Sequence, residues 1–155
     1  MIQPITNYYY NSHSPNSYRS AKSHVNYTNF NKEKVDIFVS KKETALPYLT
    51  EILLHSNNEE QLVETLYILD RMLENNVKGV DKIYYALSRL NNSSSPYIQT
   101  FLAGIYRKTQ IPDAFGPLVK MMMQNSLYPN TKTNFDPNEE IGGAILSYLS
   151  ERFRN

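Results

Sequence analysis

The stretch Leu62-Val63-Glu64-Thr65-Leu66-Tyr67 returns 35 residues later as Tyr97-Ile98-Gln99-Thr100-Phe101-Leu102. Apolar positions stay apolar, Thr65 is matched by Thr100, and Glu64 by Gln99. Upstream, Leu49 and Ile52 are matched by Tyr84 and Leu87, and Pro47 by Pro117 after two periods. A period of this length filled by two helices is the mark of stacked helical repeats, in which each pair needs a neighbour to cover its apolar face.

Apolar spacing and capping residues extend the pattern in both directions. A short helix is expected over 32–40, carried by Val35, Phe38 and Val39. The next opens with Thr44 as N-cap and buries Leu46, Leu49, Ile52 and Leu53, with Pro47 in its first turn, where a missing N–H costs little. Asn57 followed by Glu60 has the form of a capping box and starts a helix to Glu74 with Leu62, Leu66, Leu69 and Leu73 on one face. Val80, Ile83, Tyr84, Leu87 and Leu90 mark another helix. Ser95-Pro96 then starts one through Ile98, Phe101, Leu102 and Ile105, with Ser as cap and Pro at the first helical position. Phe115 to Gln124 and a last helix capped by Asp136-Pro137-Asn138-Glu139 complete the set, after a loop over 126–137. The connectors are short, so successive helices are expected to be antiparallel neighbours, giving three pairs at 44–76, 79–109 and 111–153. No stretch alternates with a period of two, so a sheet is not expected.

Residues 1–31 read differently. Asn, Ser and Tyr fill 16 of these 31 positions, no acidic residue occurs, and Arg19 and Lys22 give a charge of +2. So little aliphatic surface cannot offset the entropy of ordering the chain, and a disordered tail is expected before a helical domain over 32–155. The aromatic residues Tyr8-Tyr9-Tyr10, Tyr18, Tyr27 and Phe30 leave a second option, a recognition segment that stacks on a partner or folds back onto the helices.

The composition removes several function classes. With no Cys there is no disulfide, thiolate metal site or cysteine nucleophile. Sixteen basic and 15 acidic residues leave a formal charge of +1 and no strong global field for nucleic acid or lipid. No window is long and apolar enough to span a membrane, and the N-terminus lacks the basic and apolar regions of a secretory signal. A cytoplasmic protein without membrane association is expected. His13, His24 and His55 have no metal-ligand spacing, and no phosphate loop is present, so neither a metal nor a cofactor is expected. The carboxylate pairs Glu59-Glu60 and Glu139-Glu140 stand in first turns, where they stabilise helix dipoles without any catalytic role.

Two stretches, Ala45-Leu46-Pro47-Tyr48-Leu49-Thr50-Glu51-Ile52-Leu53 and Ala114-Phe115-Gly116-Pro117-Leu118-Val119-Lys120, each look like the first helix of a HEAT-type repeat, with an early Pro and an aliphatic face. Over 44–153 the chain resembles the HEAT/armadillo-like α-solenoid class. The Trp/Leu/Gly/Tyr pattern of tetratricopeptide repeats is absent. The resemblance implies an all-α fold, a short right-handed solenoid of about three antiparallel helix pairs. It also implies binding of another protein along the second helix of each pair. Some bacterial members resemble bilin lyases or their chaperones, so an enzyme or cofactor-handling accessory protein is the alternative, and a nucleic-acid-associated repeat a third.

Polar residues at helical spacing mark a surface for a protein partner: Glu60, Glu64, Tyr67, Arg71 and Glu74 on one second helix, and Gln99, Ala103 and Arg107 on the next. Glu64, Tyr67, Arg71, Gln99 and Arg107 are the candidate partner-binding residues; no catalytic residue is assigned. In the run Met121-Met122-Met123, Met122 is expected in the core, and Met121 or Met123 at a contact. Charge is divided along the chain: residues 32–76 carry five basic and nine acidic groups, residues 77–125 six basic and two acidic. The basic set Lys78, Lys82, Arg89, Arg107, Lys108 and Lys120 suits either an acidic partner or attraction to the neighbouring half; without interleaved aromatics it does not form a nucleic-acid motif.

Overall fold

In the computed structural model the described residues are 30–129, 133 and 135–152. They form seven α-helices, and no strand occurs among them: α1 Lys32–Ser40, α2 Leu46–His55, α3 Glu59–Glu74, α4 Tyr84–Leu87, α5 Pro96–Thr109, α6 Phe115–Leu127 and α7 Asn138–Arg152. The tail expected over 1–31 lies almost wholly outside the described residues. Its last two members belong to the helical body: Phe30 is 4% exposed, and the Asn31 side chain accepts from Lys34 N to cap α1.

The caps act largely as the residue types dictate. Ser95 Oγ accepts from Ile98 N at 3.3 Å, with Pro96 opening α5. Asp136 Oδ1 accepts from Asn138 N at 2.9 Å ahead of α7. The cap of α3 falls one residue later than expected: Asn58, not Asn57, accepts from Gln61 N at 3.0 Å. Thr44 is not an N-cap either; Lys42–Ala45 form a 3-10 turn, and Thr44 Oγ1 donates back to Lys41 O. Helix α3 ends in a Schellman arrangement. Asn76 takes φ 61°, Val77 N donates to Met72 O and Asn76 N to Leu73 O, and Val77 is buried. Three residues on, Gly79 has φ 105°, a conformation costly for any residue with a Cβ. The single helix expected over 80–90 is instead the short α4 flanked by 3-10 turns at Val80–Ile83 and Ser88–Leu90. Helix α6 runs to Leu127, past the expected end at Gln124.

Packing follows two sets of helices. On one side α1 packs on α3, α3 on α5, and α5 on α7; on the other α2 packs on α4. Helices α2 and α3 pack together, as do α6 and α7. Links between successive pairs are polar as well as apolar. Arg89 of the second pair donates to Leu53 O, Ser56 O and Asn57 Oδ1, closing the C-terminal end of α2 with a cation where the dipole favours one. Tyr84 OH donates to Asp113 O, and Tyr148 OH to Tyr106 O. At Gly142 a Cβ would stand 3.0 Å from Met122 Cε, so α6 and α7 approach closely there. One continuous core results, with Leu49, Leu53, Leu66, Leu69, Leu87, Phe101, Leu102 and Tyr106 fully enclosed. No described helix is long and apolar enough to cross a membrane.

Candidate functional site

Helix α5 sets the site. Every residue from Tyr97 to Tyr106 is buried, which a helix on an open face does not show. Tyr106 meets Tyr84 of α4, with ring centroids 5.9 Å apart, and its hydroxyl donates to Asn91 Oδ1 at 2.6 Å. Tyr97 is nine residues earlier, about two and a half turns, and therefore points to the opposite side of α5, here called its inner side. Phe101 and Gly104 follow Tyr97 along that same inner side at helical spacing. The inner side of α5 meets α3: Tyr67 of α3 is edge-on to Phe101 at 6.2 Å. Lys108 Nζ reaches Asp70 Oδ1 at 2.6 Å and Glu74 Oε1 at 3.1 Å. Burial pushes the Lys108 pKa down, but the hydrogen bonds and charges of Asp70 and Glu74 outweigh it and hold the ammonium above its usual range.

The five candidate residues fall into two groups. Glu64, Tyr67 and Arg71 lie on α3 beside the inner side of α5. Tyr67 is half-buried, with Phe30 stacked on it at 4.3 Å; burial raises its hydroxyl pKa, against the opposing charge of Arg71. Arg71 is 41% exposed and pairs with Glu74 at 2.7 Å. Gln99 and Arg107 instead turn toward α6 and α7. Gln99 donates to Ser93 O and accepts from Asn125 Nδ2 at 2.7 Å, and Asn125 also donates to Asn138 Oδ1. Arg107 is 3.5 Å from the buried carboxylate of Glu140 and lies over Gly143, whose Cβ would be 3.3 Å from Nη1. The expected side-by-side stripe is corrected accordingly: Glu64 and Gln99 are 1% and 4% exposed, Ala103 is fully buried, and Gln99 is spent on a structural network. Met121 is core and Met123 is 60% exposed, so only the latter is available at the surface.

Glu64 is the anomaly of the site. Both carboxylate oxygens are buried and neither has a hydrogen-bond partner among the described residues. Burial pushes its pKa up to about 7, partly offset by Lys34 of α1. Its counterpart in the 35-residue register, Gln99, has its polar atoms paired; Glu64 does not.

Sequence reasoning missed Asp70, read Tyr97 and Phe101 only as apolar positions of the repeat, and named Phe30 and Lys108 without their partners. The aromatic members look like ordinary core positions in a periodic pattern. The Lys108–Asp70 pair carried a faint signal, opposite charges slightly more than one period apart. The charge division along the chain is answered inside the molecule: Lys108 meets Asp70 and Glu74, Arg107 meets Glu140, and Arg89 caps α2. No group of three or more His, Cys, Asp or Glu poised for a metal occurs among the described residues. Neither a family model, nor a curated protein, nor a solved structure matches this chain.

Proposed function

We propose that this chain is a short right-handed α-solenoid of the HEAT-like kind, acting as a protein-binding scaffold without a catalytic activity of its own. The observation that carries this is the row α3, α5, α7, in which second helices pack on one another in order while α2 packs on α4 behind them. That is the arrangement in which a solenoid presents one continuous inner surface. On α3 this surface offers the half-buried ring of Tyr67 beside the half-exposed cation Arg71. Aromatic and Arg side chains in partly enclosed positions are the groups that dominate protein–protein binding energy. Half of the six basic residues of the second half of the chain are engaged internally, which supports a protein partner over a nucleic acid, whose affinity would need those cations free.

A photo-crosslinking side chain at position 71, on the inner layer, is expected to capture a partner from host lysate that the same side chain at position 120, on exposed α6, does not. Equal capture from both, or capture from position 120 alone, would remove the inner surface as the binding face.

A further inference from the structure

The row α3, α5, α7 stops at α7, and no described helix extends it. The last two helices leave apolar side chains in water at this end. On α6, Gly116, Lys120, Met123 and Leu127 fall on one stripe at helical spacing, and all four are exposed. On α7, Glu139 and Leu146 are seven residues apart, on one line, and both are exposed. The two stripes adjoin. Helices α6 and α7 pack together, and a Cβ on Gly142 would stand 3.0 Å from Met122 Cε. Met123 follows Met122, and Leu146 is one turn beyond Gly142. Met123 is 60% exposed, Leu127 71% and Leu146 67%. Seven large apolar side chains are exposed among the described residues, and four of them, these three and Tyr128, belong to α6, α7 or the residue after α6. The exposure is therefore clustered and not scattered over the surface. A stack of helix pairs that ends in water carries a polar outer face, and this end does not.

We propose that this end face joins two copies of the chain, with α6 of one copy lying on α7 of the other. Charge complementarity argues for a second copy as the occupant. Helix α6 carries one charged residue, the cation Lys120, whereas the outward stripe of α7 carries the carboxylate Glu139. Neither has an ion-pair partner among the described residues. Partial burial, and then the like charges of Glu140 and Asp136, raise the Glu139 pKa, so this position lacks a cation of its own. A two-fold contact supplies it twice, because each copy offers Lys120 to the other's Glu139. Met123, Leu127 and Leu146 then form the apolar centre, with the charges at its rim, which is the usual anatomy of an interface. Met123 is the adaptable member, able to fill an irregular contact. The contact uses neither Tyr67 nor Arg71, so it does not depend on the inner surface as a binding face.

Sedimentation velocity of the full-length protein over a concentration series is expected to show a species of twice the 18.0 kDa chain mass. Leu146→Glu is expected to return it to a monomer with unchanged far-ultraviolet dichroism, because this side chain is exposed and lies outside the core. Lys120→Glu and Glu139→Lys should each weaken the dimer about fivefold, and the double reversal should restore it. A monomer alone, up to millimolar concentration, overturns the proposal. A dimer that survives Leu146→Glu overturns it too, as do single reversals that the double variant does not rescue. A crosslinking side chain at position 120 is then expected to join two copies of this chain and to capture no host protein. A dimer without any partner captured at position 71 removes the binding function and leaves this inference standing; capture at position 71 by a monomer does the reverse.

Discussion

Glu64 buries a carboxyl group to which no described residue donates a hydrogen bond. Its pKa is raised from the ordinary carboxylate range to about 7, so between these values the folded state holds a proton that the unfolded chain has released. Stability then falls as pH rises through this window, by up to about 3 kcal/mol, and levels off above it. Glu64→Gln is expected to flatten that slope and to raise stability at pH 8, as read from urea midpoints at pH 5 and pH 8 for both proteins. An unchanged slope would show that the carboxyl is solvated or paired in solution. Phe30 makes the complementary case for an apolar side chain. It stands at the edge of a segment with almost no aliphatic residues, yet it is buried and stacked, so Phe30→Ala is expected to cost about 3 kcal/mol. A shift in thermal midpoint near zero would place Phe30 outside the core.

Individual helices are joined by a few charged side chains with specific acceptors. Arg89 closes the end of α2 from the next pair, and Arg89→Ala is expected to cost about 1 kcal/mol, measured by chemical denaturation. Lys108 binds Asp70, whose side chain is 3% exposed, so Lys108→Ala takes a close cation from a buried carboxylate and should cost about 2 kcal/mol. The double variant Lys108→Met/Asp70→Leu is expected to recover much of that loss, because the buried carboxylate leaves with its cation and Glu74 keeps Arg71. Helix existence was legible at this scale because apolar spacing and cap chemistry agree at Ser95-Pro96 and at Asp136-Pro137. Helix α4 was not legible in its true form. Its apolar spacing is that of a longer helix, and nothing in the residues Val80 to Leu90 announces that i→i+3 bonds take over at both ends. The cap of α3 slipped by one because Asn57 and Asn58 are chemically equivalent, and Asn57 is claimed by Arg89.

At the scale of the molecule, the 35-residue echo relates α3 to α5, and these two helices pack on each other. It does not reveal which face of each meets the other. Glu64 and Gln99 share a register, but one lies beside α1 and the other is drawn into the Asn125–Asn138 network. Face orientation depends on partners distant in sequence, and a single period cannot encode them. The charge division was legible as two options, and the ion pairs of Lys108 with Asp70 and Glu74 join the two halves. The packing of Phe30 on Tyr67 and of Phe135 on Tyr97 was the least legible feature, because both phenylalanines precede helices and carry no periodicity.

The enclosure of α5 also bears on how the chain comes apart. In a long repeat array each unit touches only its neighbours, and the ends fray first. Here α5 contacts α3, α7 and, through Tyr106, α4, so neither end of the helical body can detach without opening the same interior. A single cooperative transition is expected, with fluorescence of the 13 tyrosines and far-ultraviolet dichroism giving coincident midpoints. The slowest amide hydrogen exchange should fall in α5, at rates set by global unfolding.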